Sequence, residues 1–236
     1  MSEQQISDIL KAVPVFCLSD DQGRPVLLQQ PGADDAKPTQ AFFTDFDVAR
    51  MHAARIANET GNADLKLAVV DLGSCMGGLD ATDRVVALLA DPRELHAARQ
   101  LVLRAAGYRN GTDAADAKVV DFTSPAAIAA ACRDACPAGV DLDAGVPLFS
   151  IKSLNATVRG ADVQPWFLSF ADLVRAYVNS TAAPDDAAAG LEALLSHGGV
   201  VVGTLDSVLA HVRAPGARRA FLLPPASSLA VSRAAR

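Results

Sequence analysis

The residues whose types and spacing are best suited to chemistry surround Cys75. The run Gly-Ser-Cys-Met-Gly at 73–77 follows a predicted strand, and this is the spacing of a nucleophile elbow with cysteine in place of serine. Glycines on both sides of a thiol permit the tight turn that exposes a nucleophile. His96, His197 and His211 are the candidate general bases. The pattern therefore raises a Cys-dependent hydrolase as one hypothesis.

The residues that follow the motif argue against this hypothesis. An elbow needs a helix directly after the nucleophile, because the helix N-terminus lowers the thiol pKa and helps to form the oxyanion hole. The segment Gly78–Thr82 is a poor helix start. We therefore expect a glycine turn with a packed Cys75 thiol, no catalytic residue and no enzymatic activity.

The remaining cysteines do not form a recognisable metal site or disulfide scaffold. The chain has four cysteines in 236 residues, which is too few for a disulfide-stabilised fold. Cys132 and Cys136 lie one helical turn apart, so their thiols can meet, but no histidine or second cysteine pair completes a zinc site. Phosphate-binding, dinucleotide-binding and EF-hand motifs are also missing from the sequence. We predict no metal and no cofactor.

Composition describes a folded chain that does not bind nucleic acid. Half of the residues are apolar and 20% are charged, and no apolar run approaches the ~18 residues of a membrane span. The net charge of -6 is the wrong sign for phosphate backbones. The N-terminal residues resemble neither a signal peptide nor a transit peptide, so no targeting peptide is predicted in this sequence. Arginines gather near the C-terminus, where we expect a solvated tail: Arg213, Arg218, Arg219, Arg233 and Arg236.

The sequence repeats itself in outline. The run Ala-Val-Pro-Val-Phe recurs as Gly-Val-Pro-Leu-Phe 133 positions later, and Gln-Ala-Phe-Phe recurs as Gln-Pro-Trp-Phe 124 positions later. The first copy therefore has a longer loop, around Pro31–Pro38. Landmarks that recur in one order indicate a duplicated unit of roughly 100 residues. The matched residues are Val13 with Val146, Gln40 with Gln164, Leu72 with Leu205 and Leu88 with Leu222.

Each copy contains the same predicted elements. The short bulky runs, bounded by Gly or Pro, favour buried strands. Asp45 and Ser169 then stand where an N-cap belongs, before amphipathic helices that run to about Glu59 and Asn179. A third strand and a Leu-Leu strand follow each helix, and in the first copy the run 94–106 is helical in composition.

These elements predict an α/β (α+β) fold, in which an internally duplicated sheet-plus-helix unit forms two halves related by a pseudo-twofold axis. We expect one compact protein over 1–236, with a first repeat at 12–110, a connector at 111–144 and a second repeat at 145–230. The second copy has Val208 where the first has Cys75, which also favours a packed thiol over a nucleophile.

The ordered pair of motifs resembles the Tic22 family, a component of the translocon at the inner chloroplast envelope with algal and cyanobacterial relatives. The resemblance spans roughly 12–225 and is carried by Val-Pro-Val-Phe with Phe-Phe in the first copy, and by Val-Pro-Leu-Phe with Trp-Phe in the second. It implies a duplicated α/β protein without an active site. It also implies a soluble, chaperone-like factor that meets precursor proteins between the plastid envelope membranes, or acts in the periplasm of cyanobacteria.

The resemblance leads to a binding function in protein import. The implied partners are precursor proteins and translocon components, in the envelope intermembrane space or at the membrane periphery. The alternative is a peripheral structural or linker subunit of a photosynthetic membrane complex such as a photosystem with its antenna. Aromatic side chains are the candidate lining of a groove for the client or partner, although core packing is the default interpretation of each one. They are Phe42, Phe46, Trp166 and Phe170.

Overall fold

The computed structural model describes residues 1–28, 37–61, 64–77, 85–112, 118–158, 160–180, 184–196 and 198–234. The chain divides into two compact units. We call them the first-sheet unit, formed by Ser2–Asp91 with Pro224–Arg236, and the second-sheet unit, formed by Pro92–Leu223 with Met1.

The described residues form nine helices and twelve strands. In chain order the helices are α1 (Glu3–Lys11), α2 (Phe46–Thr60), α3 (Leu72–Gly77), α4 (Pro92–Ala105), α5 (Pro125–Ala135), α6 (Phe170–Ser180), α7 (Pro184–Ser196), α8 (Leu205–Arg213) and α9 (Ala226–Ala234). The strands are β1 (Pro14–Ser19), β2 (Leu27–Leu28), β3 (Thr39–Phe43), β4 (Lys66–Asp71), β5 (Val85–Leu89), β6 (Arg109–Asn110), β7 (Val119–Val120), β8 (Pro147–Ile151), β9 (Ala156–Val158), β10 (Ala161–Phe167), β11 (Val200–Thr204) and β12 (Arg219–Leu223).

The first-sheet unit is built on β1, which is buried along its whole length. β1 pairs antiparallel with β3 on one side and with β4 on the other. β3 also pairs antiparallel with β2 and parallel with β5. The core beneath α2 contains Phe16, Phe43 and Val48. Such burial of bulky side chains is what the Val-Pro-Val-Phe and Phe-Phe runs predict.

The second-sheet unit is built on β8 in the same way. β8 pairs antiparallel with β10 and with β11, while β10 pairs antiparallel with β9 and parallel with β12. The core beneath α6 contains Phe149, Phe167 and Leu173. Both sheets therefore share one strand order and one pattern of parallel and antiparallel pairing.

The matched landmarks of the sequence repeat occupy matching register positions. Phe16 lies opposite Phe43 on one side and Val69 on the other. Phe149, 133 positions after Phe16, lies opposite Phe167 and Val202. The parallel pairs correspond as well, since Phe42 lies opposite Leu88 and Trp166 lies opposite Leu222. A mixed α/β fold is confirmed, and the duplication with its pseudo-twofold axis stays a prediction.

The predicted helix starts are confirmed at both copies. The Asp45 carboxylate accepts hydrogen bonds from the N–H groups of Asp47 (2.9 Å) and Val48 (3.1 Å) at the start of α2. Ser169 Oγ accepts from the N–H of Asp172 at 3.4 Å, at the start of α6. These side chains satisfy N–H groups that have no partner inside the helix.

The helix that follows the last strand of each sheet belongs to the other unit. α4 follows β5 along the chain and lies in the second-sheet unit, with Leu101 and Val102 in the same core as Phe149. α9 follows β12 and lies in the first-sheet unit, where Val231 packs against the core around Phe16. The compact units are therefore a different division of the chain from the predicted repeats at 12–110 and 145–230.

α4 and α9 each provide a hydrogen-bond acceptor for the helix that packs on the sheet of their own unit. Glu94 of α4 accepts the N–H of Phe170 at 2.8 Å, and Ser228 of α9 accepts the N–H of Phe46 at 3.3 Å. Each therefore satisfies an N–H group in the first turn of the helix that packs on that sheet.

Two local predictions are wrong. Residues 72–77 form the helix α3 and not a glycine turn, and neither Gly73 nor Gly77 has a positive φ. The C-terminal arginines do not form a tail, because Arg213 ends α8, Arg219 begins β12 and Arg233 lies in α9, but these three are exposed to solvent as predicted. Arg236 lies outside the described residues. No helix in the described ranges is both long and apolar enough to cross a membrane.

Candidate functional site

The Cys75 thiol is buried in α3 and is unsuited to nucleophilic attack. Its residue is 3% exposed. Burial, with smaller contributions from the nearby Cys17 and Asp71, raises the pKa of Cys75 to about 12. An activated cysteine requires the opposite, a partly exposed thiol with a lowered pKa. The packed thiol expected at this position is confirmed. Of its candidate bases, His197 lies outside the described residues.

Of the four aromatic residues predicted to line a groove, Phe46 and Phe170 pack against the two hydrophobic cores, and Phe42 and Trp166 are buried. Phe42 and Trp166 are 6% and 8% exposed. Phe46 is half-buried and meets Phe16 edge to face at 5.4 Å between ring centroids. Phe170 is half-buried and meets the ring of Phe149 at 5.5 Å. These positions agree with the default core interpretation, and a client groove lined by the four side chains stays a prediction.

A groove in the second-sheet unit is better placed to receive a ligand. We call it the β11 groove: it is a cavity of about 320 Å³ between α4, the end of α5 and β11. Its lining is mostly apolar, and Lys152 is the charged residue at its side. The other lining residues are Leu101, Val102, Ala105, Ala106, Ala135, Pro137, Gly198, Val200, Val201 and Val202.

The backbone of β11 contributes hydrogen-bonding groups to this groove. The N–H of Lys152 donates to the carbonyl of Gly199, and the N–H of Leu205 donates to the carbonyl of Val146. Because bonded and non-bonded pairs alternate in an antiparallel ladder, the N–H and C=O groups of Val200 and Val202 point away from β8. In the described part of the chain β11 pairs with β8 alone, so this side of the strand is an open edge.

An apolar groove beside an open strand edge can bind an extended peptide. The edge supplies main-chain hydrogen bonds to any sequence, and the apolar lining receives alternate side chains. No motif in the sequence marks this site. The Val-Val-Val run at 200–202 predicts a strand. Its position at a sheet edge, however, depends on pairing with residues about fifty positions away.

Two further cavities lie elsewhere in the molecule. One, of about 210 Å³, is lined by Cys132 and Cys136 together with Arg99, Arg133 and Asp143. The other, of about 450 Å³ in the first-sheet unit, has a lining of polar and apolar residues and lies beside the end of β4. Across the described residues, no group of three or more His, Cys, Asp or Glu side chains is arranged to hold a metal ion.

Comparison with known proteins gives a likeness of structure. No family model and no curated protein matches the sequence. Tic22 from Plasmodium falciparum is 13% identical and superposes with a TM-score of 0.61, over 96% of this chain and 95% of that one. Tic22 from Anabaena, described as a protein of protein transport, is 18% identical with a TM-score of 0.60, over 99% of this chain and 97% of that one.

The likeness extends over nearly the whole length of both proteins. It therefore spans both compact units. The resemblance drawn from the paired Val-Pro-Val-Phe and Val-Pro-Leu-Phe motifs is confirmed for the architecture, and the chain has the Tic22 fold.

Proposed function

We propose that this chain is a Tic22-family protein that acts in protein transport without catalysing a reaction, by binding precursor proteins during import into plastids. The observation that carries the proposal is the match to two Tic22 structures along the whole chain. The buried Cys75 thiol, the strongest catalytic candidate in the sequence, supports a non-enzymatic role. The proposed partners are precursor proteins and translocon components, in the envelope intermembrane space or at the membrane periphery.

The proposed family membership includes an origin by internal duplication about a pseudo-twofold axis. The shared strand order of the two sheets supports it, as do the matching pairs Phe16–Phe43 and Phe149–Phe167. The equivalent hydrogen bonds from Phe46 to Ser228 and from Phe170 to Glu94 support it further.

We place precursor binding in the β11 groove. A protein that meets many precursors must recognise what unfolded chains have in common, namely apolar side chains and free backbone N–H and C=O groups. The apolar lining from α4 can receive apolar side chains of a precursor. The outward-pointing N–H and C=O groups of Val200 and Val202 can pair with its backbone. Side-chain pockets of this kind tolerate many sequences because main-chain hydrogen bonds provide much of the affinity.

The first experiment is crosslinking of the native protein in intact organelles of the source organism, followed by mass spectrometry of the captured partners. Many precursor proteins together with envelope translocon subunits are the expected result. A few fixed crosslinks to one photosynthetic complex would contradict the proposal and favour a structural subunit. Such a subunit buries a constant interface of ~1,000 Å² or more.

A charged side chain introduced into the β11 groove tests whether precursor peptides bind there. Ala105, at the end of α4, is exposed and lines the β11 groove, so Ala105→Glu should fold normally and weaken capture of extended apolar peptides. The matched control is Ala54→Glu, an exposed alanine on α2 in the other unit, which should leave capture unchanged. Photo-crosslinking of a labelled apolar peptide measures both variants. Equal capture by both would remove the groove from the proposal.

A further inference from the structure

Two thiols meet at the end of α5. Cys132 lies in the last turns of the helix, and Cys136 is its C-cap residue with extended backbone (φ -61°, ψ 135°). The two sulfur atoms are 3.5 Å apart, and the N–H of Cys136 donates to the carbonyl of Cys132 at 2.9 Å. Residues four apart at a helix end have Cα atoms about 6 Å apart, within the range that a disulfide spans. The geometry therefore needs only a small movement to form an S–S bond.

The two thiols differ in access. Cys136 is half-buried and Cys132 is 3% exposed, and both line the cavity of about 210 Å³ at this end of α5. A reagent that enters the cavity therefore meets Cys136 first, and Cys132 lies directly behind it. This is the arrangement of an attacking thiol with a resolving thiol.

Charged side chains lie beside the two thiols. The Arg99 guanidinium donates to the Asp143 carboxylate at 2.7 Å and to the carbonyl of Leu142 at 3.0 Å. Arg133 donates to the same carboxylate at 3.1 Å. The Nε of Arg99 is buried and has no hydrogen-bond partner among the described residues, so a positive group with a free donor remains beside the thiols. This donor favours negative charge that develops on sulfur during exchange.

The reduced pair is itself stable. Burial, together with the contact with the Cys136 thiol, raises the pKa of Cys132 to about 12. Cys132 therefore stays protonated in the reduced pair, and it loses its proton only as it attacks the Cys136 sulfur, which already lies 3.5 Å away.

We propose that Cys132 and Cys136 form a reversible disulfide by exchange with a low-molecular-weight disulfide such as glutathione disulfide. The Cys136 thiolate attacks one sulfur of the oxidant, whose S–S bond breaks and whose first thiol leaves. Cys132 then loses its proton and attacks the Cys136 sulfur, which expels the second thiol. The chain loses two protons and two electrons, and the oxidant gains both to become two thiols.

The other two cysteines provide an internal contrast. Cys17 on β1 and Cys75 on α3 are 5% and 3% exposed. Neither sulfur is in hydrogen-bond contact with another sulfur among the described residues. They should stay reduced under conditions that oxidise Cys132 and Cys136.

The test equilibrates the full chain in buffers of reduced and oxidised glutathione, blocks free thiols by alkylation and analyses tryptic peptides. Arg133 lies between the two cysteines, so trypsin separates them into two peptides that stay linked only by a disulfide. We expect linked peptides to appear as the buffer becomes oxidising and to disappear with dithiothreitol. Full alkylation of both cysteines across the whole range of buffers would overturn the proposal.

Variants separate the two steps. Cys132→Ser removes the resolving thiol, so Cys136 should accumulate one glutathione per chain. Cys136→Ser should carry no glutathione and form no link. The control Cys17→Ser should behave as the unaltered chain. Linkage between other cysteine pairs in the unaltered protein would also overturn the assignment, and this result does not depend on whether a variant folds. The outcome is independent of precursor capture, so the two proposals fail separately.

Discussion

The two sheets share one strand order and one pairing pattern, but they differ in the side chains at equivalent positions. Phe16 and Phe149 stand at the same register position, are fully buried and each pack against a half-buried phenylalanine of the neighbouring helix. One position further along, the first sheet has Cys17 and the second has Ser150. Strand pairing therefore determines which positions are buried. The residues around each position determine whether a polar or an apolar side chain can be buried there.

The neighbour that matters for Ser150 is a proline. Pro165 lies in β10, where the first sheet has Ala41 in β3. Because proline has no N–H to donate, the ladder between β8 and β10 is weakened at this point. Ser150 Oγ donates to the Pro165 carbonyl at 2.7 Å and accepts from the Gln164 amide at 3.1 Å. A side-chain bridge thus strengthens the pairing that the proline weakens.

A second difference lies at the helix that follows the third long strand of each sheet. In the first sheet the Asp71 carboxylate accepts the N–H of Ser74 at 2.8 Å and its hydroxyl at 2.6 Å. In the second sheet Thr204 Oγ1 accepts the N–H of Ser207 at 3.3 Å. The two caps satisfy equivalent N–H groups, but only the first one titrates.

The largest predicted effect tests whether the two core positions are equivalent. Phe16→Ala and Phe149→Ala should each lower the free energy of unfolding by about 3–5 kcal/mol, because each leaves a cavity in a closed core. Urea denaturation followed by far-UV circular dichroism measures both. Phe16→Leu and Phe149→Leu are the matched controls and should lose much less. A loss under about 1 kcal/mol at one position alone would break the comparison.

The second prediction concerns the bridge that only one sheet has. Ser150→Ala should cost about 1–3 kcal/mol, because it leaves the Gln164 amide and the Pro165 carbonyl without this partner. The matched control is Cys17→Ala in the first sheet, which removes no hydrogen bond and should cost about 1 kcal/mol or less. Thermal denaturation of both variants measures the difference. Equal losses would mean that packing at these positions matters and the hydrogen bonds do not.

The smallest predicted effect is a difference in acid stability between the caps. Burial alone would raise the pKa of Asp71, but the hydrogen bonds from Ser74 outweigh it and the pKa lies below its ordinary value. The carboxylate therefore contributes stability that is complete above about pH 4 and is lost as the pH falls through the folded-state pKa.

Asp71→Thr copies the cap of the second sheet and should remove this acid-dependent loss. At neutral pH it should change stability by about 1 kcal/mol or less. Melting temperatures between about pH 2 and pH 7 measure the effect, with Thr204→Ser as a control that titrates in neither state. A variant that keeps the full acid dependence of the unaltered chain would show that Asp71 is not its source.

Much of the local structure could be predicted because it depends on neighbouring residues. The strand positions, the caps at Asp45 and Ser169, and the contact between Cys132 and Cys136 follow from side-chain type and short spacing. The helix at 72–77 could not, because its glycines weaken the local signal. Asp71 caps this helix, and Leu72 and Cys75 are buried in the first-sheet unit. Tertiary packing therefore outweighs the low helix propensity of this segment.

By itself the sequence determined the type and order of the elements in each sheet, because apolar patterning, proline and glycine act over a few residues. Only the tertiary structure decided that α4 belongs with the second sheet and α9 with the first. An amphipathic helix specifies an apolar stripe but not the surface that covers it. The open edge of β11 also depends on the tertiary structure, because a strand lies at an edge only when no other strand pairs with one of its sides.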